Sequence, residues 1–323
     1  YENEDVIPAW GNQGRGEKLR EFARQEPILA GAVATMASKA TALDWKIEGG
    51  RNRVRRYHDL LGEAEDGQGW SYFLDRLVQD YVTTDLGGVI ELGREGKGGP
   101  VSGIYNLDST ACSLTGNAQA PLKYAAKVGS SRTVSLLPGE FARVVDMPAN
   151  DESRFGLGFC AVSRALKAAK VLMALYQYEE EQLNDLPPQG IAAITGMTAP
   201  EVQAAFERYR AARESKEQLT FKGVLWLSAT ANALQPIDVK LTPFSTLPAH
   251  FDKQQAMTLY VYTLALDFGV DVREFWPASQ TGATKAEAEI QHQKAKGKGF
   301  GRLLSDVERA VNWEVLPEGL SFA

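Results

Sequence analysis

Cysteine and histidine are scarce in this chain, and much of the usual chemistry of enzymes and secreted proteins is excluded with them. Two cysteines, Cys112 and Cys160, stand among 323 residues. Two thiols make no disulfide framework, and they read as reduced thiols of a protein folded in cytoplasm. The three histidines, His58, His250 and His292, lie far apart, and none has a His or Cys at metal-ligand spacing. No Gly-x-Ser-x-Gly elbow occurs. A run of about twenty apolar residues is also missing, so the sequence predicts no membrane span, and no signal peptide is expected. Cations are not in excess either. The formal net charge is −6, which excludes a chain that holds nucleic acid through overall charge.

What is present supports a folded core. The hydrophobic content is 44%, and the length suits two domains or one domain with a large insertion. Residues 1–16 read as a polar arm. Glu17 to Arg24 reads as a short charged helix, and Pro27 opens a second with Ile28, Val33, Met36 and Ala40 at helical spacing. The alternation from Ala42 to Glu48 predicts a half-buried strand. Trp70 to Val82 is amphipathic, with Phe73, Leu74, Leu77, Val78 and Tyr81 on one face. Short strands follow at Gly88 to Arg94, Ile104 to Leu107, Cys112 to Leu114, Leu122 to Lys127 and Arg143 to Asp146.

Gly156-Leu157-Gly158 opens the longest predicted helix, which runs to about residue 185. Its stripe is Phe159, Val162, Leu166, Ala169, Met173 and Tyr176. Cys160 stands near its start, where a thiol pKa can fall, but the apolar neighbours Phe159 and Val162 point to core packing. Glu179 to Glu181 oppose the dipole near its far end and read as an exposed or partner-facing surface. Pro187-Pro188 stops it. A strand at Ile191 to Thr195, a charged helix from Ala199 to Lys216, and strands at Phe221 to Leu227 and Ile237 to Leu241 form a compact insert. A second apolar helix spans His250 to Phe268, with Gly269 as its C′ residue.

The stretch from Ser279 to Arg302 is small, polar and rich in Lys and Gly. It ends in Gly297-Lys298-Gly299-Phe300-Gly301-Arg302. A P-loop needs a hydroxyl after its Lys, and a dinucleotide loop needs a third Gly after a strand; both are missing. On a helix, Lys294, Lys298 and Arg302 fall at i, i+4 and i+8, on one face. The plain alternative is a solvated helix packed closely at its glycines.

The order of elements then carries a resemblance. A long helix follows Phe155-Gly156-Leu157-Gly158-Phe159. A small α/β insert comes next. A second helix ends in Leu264-Ala265-Leu266-Asp267-Phe268-Gly269-Val270. A polar loop leads into a helix containing Lys285 to Leu304, and Ala310-Val311-Asn312-Trp313-Glu314-Val315-Leu316-Pro317 follows. In this order the chain resembles the portal proteins of tailed bacteriophages, of the long-tailed siphophage kind. These form the ring at the capsid vertex through which DNA is packaged and ejected. As an order of elements the resemblance covers nearly the whole chain, with its specific part at residues 155–317.

The resemblance implies an α+β portal fold. Residues 1–155 would be an α+β wing, 156–185 the first stem helix region and 186–247 a small α/β clip. Residues 248–270 would be the second stem helix, 271–283 a tunnel loop, and 284–323 a long tunnel helix with a return to the wing. A crown would be missing or minimal. The resemblance implies no catalytic residue, no cofactor and no metal. It puts Phe275, Trp276, Pro277, Ala278, Ser279, Gln280, Thr281 and Gly282 in the loop lining the DNA tunnel. It makes Lys294, Lys298 and Arg302 candidate channel-facing cations, and Gln189, Glu201, Glu207, Arg210 and Lys222 candidate docking residues of the clip. The implied partners are further copies of the chain, in a closed ring of about twelve, and double-stranded DNA in transit. The large terminase packaging motor, a head-tail adaptor and the major capsid protein complete them, with no membrane. The implied location is the portal vertex of the virion, after assembly in host cytoplasm.

An acidic chain with a small uncharged loop suits a sleeve through which DNA slides, because affinity for DNA rises steeply with the number of phosphates neutralised. Two other readings stay open on the residues alone. One is a phosphate-binding enzyme using Gly297 to Arg302. The other is a different self-assembling head or adaptor protein.

Overall fold

The structure, a computed structural model, describes residues 7–12, 14–96, 98–126, 133–150, 156–184, 190–195, 200, 203–204, 207, 238–243, 252–272 and 299–323. The chain divides into two compact units. One comprises Tyr1–Tyr176 and Lys253–Ala323, the other Gln177–Asp252.

The first unit begins with helix α1 (Arg15–Gln25) and helix α2 (Pro27–Thr41). Pro27 occupies the first turn of α2, where its missing N–H costs nothing. Glu26 caps that turn by accepting from the Leu29 N–H. Leu19 and Ala23 of α1, with Leu29, Ala32, Met36 and Ala40 of α2, enter the core.

The strand predicted over 42–48 is shorter and later. Ala42 closes α2 through the Ser38 and Ala40 carbonyls, and Leu43 is 46% exposed. The alternation therefore coincides with a helix exit. Pairing starts where Lys46 and Ala323 exchange backbone hydrogen bonds. Strand β1 (Ile47–Gly49) then runs antiparallel to β10 (Leu320–Phe322).

Helix α3 (Arg51–Gly62) buries only Tyr57 and Leu61, too sparse a pattern to read as a helix from periodicity. Helix α4 (Trp70–Thr83) forms as its spacing predicts, and all five residues of its apolar face are buried. It packs on α2 and on strand β2 (Gly88–Arg94). A Cβ on Gly88 would meet Leu77 at 2.5 Å, so this glycine lets sheet and helix approach.

Strand β2 is the centre of an antiparallel sheet with β3 (Val101–Leu107) and β7 (Phe141–Val144). A second sheet orders β4 (Cys112–Leu114), β5 (Leu122–Ala125) and β6 (Thr133–Leu136). Strand β6 escapes the sequence reading, and β7 begins two residues before the predicted 143.

Helix α5 (Ala161–Asn184) starts later than the glycines at 156 and 158 suggest. The Gly158 and Phe159 amides are taken by the carbonyls of Asp85 and Asp146, at 2.7 and 3.0 Å, which holds this stretch out of the helix. Its buried side is Val162, Ala165, Ala169, Leu172 and Leu175, while Leu166 and Met173 of the predicted stripe are only half-buried. Helix α6 (Lys253–Phe268) ends at Gly269, whose φ of +64° is left-handed, as predicted for C′. Helix α7 (Gly299–Ala310) passes into a π-helical turn, Val311–Val315.

In the second unit, β8 (Gly190–Thr195) pairs antiparallel with β9 (Asp238–Pro243). Of the charged helix expected over 199–216, residues 200, 203, 204 and 207 are described, and each is helical. The strand expected over 221–227 lies outside the described residues. Antiparallel sheets with helices packed beside them make the fold α+β.

Glu26 yields a test of this core. It is 0% exposed, and its Oε1 has no partner among the described residues. Burial pushes its carboxyl above the usual glutamate range, partly offset by the Leu29 and Ile28 amides. A carboxyl raised in the folded state costs stability once pH passes its unfolded value, and the cost vanishes as pH falls back below that value. Glu26→Gln keeps an acceptor at the cap and removes the charge. It is expected to melt higher than the wild type at neutral pH, with a flatter pH dependence. Glu26→Ala loses the cap and is expected to cost about 1 kcal/mol. Thermal melts across pH check both, and a Gln variant that melts lower at neutral pH contradicts the account.

Candidate functional site

The start of the longest helix is held by groups from elsewhere in the chain. Asp85, in the turn between α4 and β2, is 7% exposed. Its Oδ1 accepts from the Cys160 N–H at 3.1 Å and from Ser163 Oγ at 2.6 Å. Its Oδ2 accepts from Arg15 Nε at 2.8 Å, and Arg15 also donates to Ser163 Oγ and the Pro8 carbonyl. The first turn of α5 leaves backbone donors without helical partners, and a distant carboxylate supplies the acceptor. A buried ion pair of this kind is tolerable because every charge in it is also hydrogen-bonded.

One turn on, Arg164 joins the two long helices. It donates to Asp146 at 2.7 Å, to the Phe159 carbonyl, and to the Asp267 carbonyl at the end of α6. Burial raises the Asp267 carboxyl, and Arg164 pulls it back. Asp146 also meets Arg302 at 3.6 Å, and Arg302 meets Asp306 at 3.8 Å. Tyr81 donates to Asp306 at 3.1 Å, and burial, then the charges of Asp146 and Asp306, push its phenol far up. The cluster thus ties α4, α5, α6 and α7 to the loop after β7.

Neither thiol is poised to react. Cys160 is 1% exposed, and burial followed by the Asp85 charge drives its pKa well upward. That agrees with core packing and not with thiolate chemistry. Burial likewise pushes Cys112 up to about 12. Among the described residues no group of His, Cys, Asp and Glu could hold a metal, and no helix is long and apolar enough to cross a membrane.

The residues singled out from sequence are placed unevenly. Phe275 to Gly282, Lys294 and Lys298 lie outside the described residues, as do Gln189, Glu201, Arg210 and Lys222. Glu207 is exposed and helical. Arg302, 45% exposed at its side chain, faces two carboxylates of its own chain. Gly299 begins α7, and a Cβ there would meet the Phe268 carbonyl oxygen at 2.1 Å. At this position the glycine serves close packing of α7 on the end of α6.

Sequence reasoning missed Asp85, Asp146 and Arg164. The signal for Arg164 was a charged residue inside the apolar stripe between Val162 and Leu166.

A second feature concerns the outside of α6. Val261, Leu264, Ala265 and Phe268 are buried, yet Leu259, Tyr262 and Leu266 are 63, 46 and 69% exposed. These three recur at i, i+3 and i+7 and share one face. On α5, Val171 is exposed as well, and Trp313 in the π-helical turn is 83% exposed. Helix α6 is thus apolar on two opposite sides, one buried in the core and one open to solvent.

No family model and no curated protein matches the sequence. Solved structures do. A chain in the neck of an empty gene transfer agent particle, computed with C6 symmetry, is 20% identical with a TM-score of 0.65, over 98% of this chain and 85% of that one. A chain in the neck of the native particle, computed with C12 symmetry, is 19% identical with a TM-score of 0.63, over 98% and 84%. An HK97-family phage portal protein from Corynebacterium diphtheriae is 12% identical with a TM-score of 0.58, over 94% of each chain. At these identities the likeness is one of fold, and it spans nearly the whole chain.

The Arg164 junction is testable by truncation. Among the described residues, Arg164→Ala leaves the Asp146 carboxylate with only the longer contact to Arg302, and it frees the Asp267 carbonyl. Removing one partner of a buried pair costs about 3–5 kcal/mol. Chemical denaturation is expected to show a loss in that range, and a change below about 1 kcal/mol, the size of an exposed pair, would contradict the placement.

Proposed function

We propose that this chain is a portal-type structural protein, one subunit of a closed ring at a capsid vertex through which double-stranded DNA is packaged and ejected. The observation that carries the proposal is the second apolar face of α6, on a chain that shares its fold with a phage portal protein and with neck chains of gene transfer agent particles. A monomer leaves Leu259, Tyr262 and Leu266 in water, and a neighbouring copy would remove them from it. In a ring this face of one copy meets a different surface of the next, a heterologous contact that closes when the rotation between copies divides the circle, and the C12 symmetry of a neck chain sharing this fold supports that arrangement over a twofold dimer. We take about twelve copies per ring, as for the neck chain solved with C12 symmetry.

In this reading residues 1–155 form the wing, 156–185 and 248–270 the stem helix regions, and 186–247 the clip. The clip, including Gln189, Glu201, Glu207, Arg210 and Lys222, docks the terminase motor and later a head-tail adaptor. Residues 271–283 form the tunnel loop, and residues 284–323 a long helix behind it and the return to the wing. The role is mechanical, with no reaction of its own. That Gln177–Asp252 is a compact unit of its own, with prolines at 187, 188, 243 and 248 bracketing the insert, supports a module that meets partners.

Electron microscopy and mass measurement test the ring directly. The chain is expected to form rings with a central channel. Leu259→Ser with Leu266→Ser should leave the melting temperature of the subunit nearly unchanged, since both side chains are exposed, and should dissociate the ring. A stable wild-type monomer at micromolar concentration would sink the proposal.

The loop Phe275 to Gly282 is expected to meet DNA through its uncharged tip, touching only the backbone. Gln280→Lys with Thr281→Lys adds phosphate contacts, so packaging should slow, most at low salt. A double variant that packages at the wild-type rate at both low and high salt would place the tunnel elsewhere.

A further inference from the structure

Helix α3 concentrates cations in an otherwise acidic chain. Arg51, Arg53, Arg55 and Arg56 fall within its first six residues and all are exposed, and no Asp or Glu occurs in it before Asp59. We infer that this helix carries a phosphate-binding surface that takes the backbone of double-stranded nucleic acid.

Three observations carry the inference. The first is energetic. Cations in the opening turns of a helix oppose its dipole, where acidic residues would stabilise. Arg51 and Arg53 lie in the first turn, where that cost applies, and a local cost accepted twice marks a surface selected for something other than folding.

The second is availability. Arg53 donates to the Glu318 carbonyl at 3.1 Å, and Arg56 meets Glu95 at 3.0 Å. Arg51 has no ion pair among the described residues. Arg55 meets Asp59 only at 3.9 Å, with 87% of its side chain exposed. Arg51 and Arg55 lie at i and i+4, on one face. Their guanidinium forks match phosphate oxygens in geometry as well as charge.

The third is what the surface lacks. No exposed large apolar side chain lies on α3. Arginine also anchors protein interfaces, but there it packs among aromatic and apolar neighbours at the centre of the contact. A convex charged helix instead fits a repeating anion, held without readout of sequence. The inference does not depend on ring formation. It concerns residues other than those of the proposed tunnel loop.

Fluorescence anisotropy of the full-length chain with two short duplexes of unrelated sequence tests it. The wild type is expected to bind both equally, with affinity falling steeply between about 50 and 200 mM salt. Arg51→Gln with Arg55→Gln is expected to bind about tenfold more weakly at low salt and to lower the log–log salt slope by about two, one for each phosphate no longer neutralised. Arg51→Lys with Arg55→Lys keeps the charge and should retain most of the slope. Circular dichroism melts should be unchanged, since both side chains are exposed. A wild type that does not bind duplex, or a Gln variant matching it in affinity and slope, overturns the inference. So does tighter binding of polyglutamate than of duplex, which would assign the face to an acidic protein. Ring assembly, read separately by microscopy, keeps failure of this surface distinct from failure of the portal reading.

Discussion

The carboxylate of Asp85 fixes where the longest helix begins, and the relation of the other long elements follows from that. A helix start leaves several N–H groups without partners. Here the local cap is weak, the Cys160 Sγ accepting from the Ser163 N–H at 3.4 Å. Asp85 reaches Cys160 and Ser163 from 75 and 78 residues away, and Arg15 neutralises it from α1. Three segments distant in sequence must therefore meet for any of these charges and donors to be satisfied. A partly assembled version would leave a charge buried without a partner, which costs more than the pair contributes. The junction thus acts mainly on specificity, selecting one placement of α5.

Arg164 extends the same logic by one helical turn. Its position on α5 is set by Asp85, and from there it reaches the Asp267 carbonyl at the end of α6. Gly299 then allows α7 to sit against the Phe268 carbonyl with no side chain between them. Helices α5, α6 and α7 are thus registered to one another by polar contacts at one end. Further along, small and apolar residues, Ala165, Ala169 and Leu172 of α5 and Val261 of α6, are buried in the core. Fixing one end leaves the outward face of α6 with a defined orientation.

The sequence made elements with a strong period legible and hid those without one. Helix α4 and its five inward residues follow directly from 3.6-residue spacing, and β2 and β4 have the limits that their alternation predicts. Helix α3 did not show because two buried residues make no stripe. The strand expected at 42–48 misled because Leu43 and Trp45 alternate across a helix exit, and only the return of Phe322 beside Ile47 decides what pairs. The candidate site was less legible than the fold. Asp85, Asp146 and Arg164 are single polar residues whose meaning lies in long-range contact, which no local pattern encodes. The order of elements, by contrast, is a long-range property that survives at 12–20% identity, and it pointed to the portal fold.

Net charge is a poor guide to where this chain is electropositive. Arg15, Arg20, Arg164 and Arg302 all face carboxylates of the same chain, so none of them projects an unbalanced field outward. On α3, Arg56 is likewise paired, with Glu95, but Arg51 has no ion pair among the described residues and Arg55 meets Asp59 only at 3.9 Å. An overall charge of −6 therefore conceals a divided distribution, with cations neutralised inside the fold and a short basic face outside it. Screening restricts the reach of exposed charge to about 10 Å at ordinary salt. At that range a passing phosphate responds to the local face and not to the molecular sum, so an acidic protein can repel nucleic acid over most of its surface and still hold it at one place.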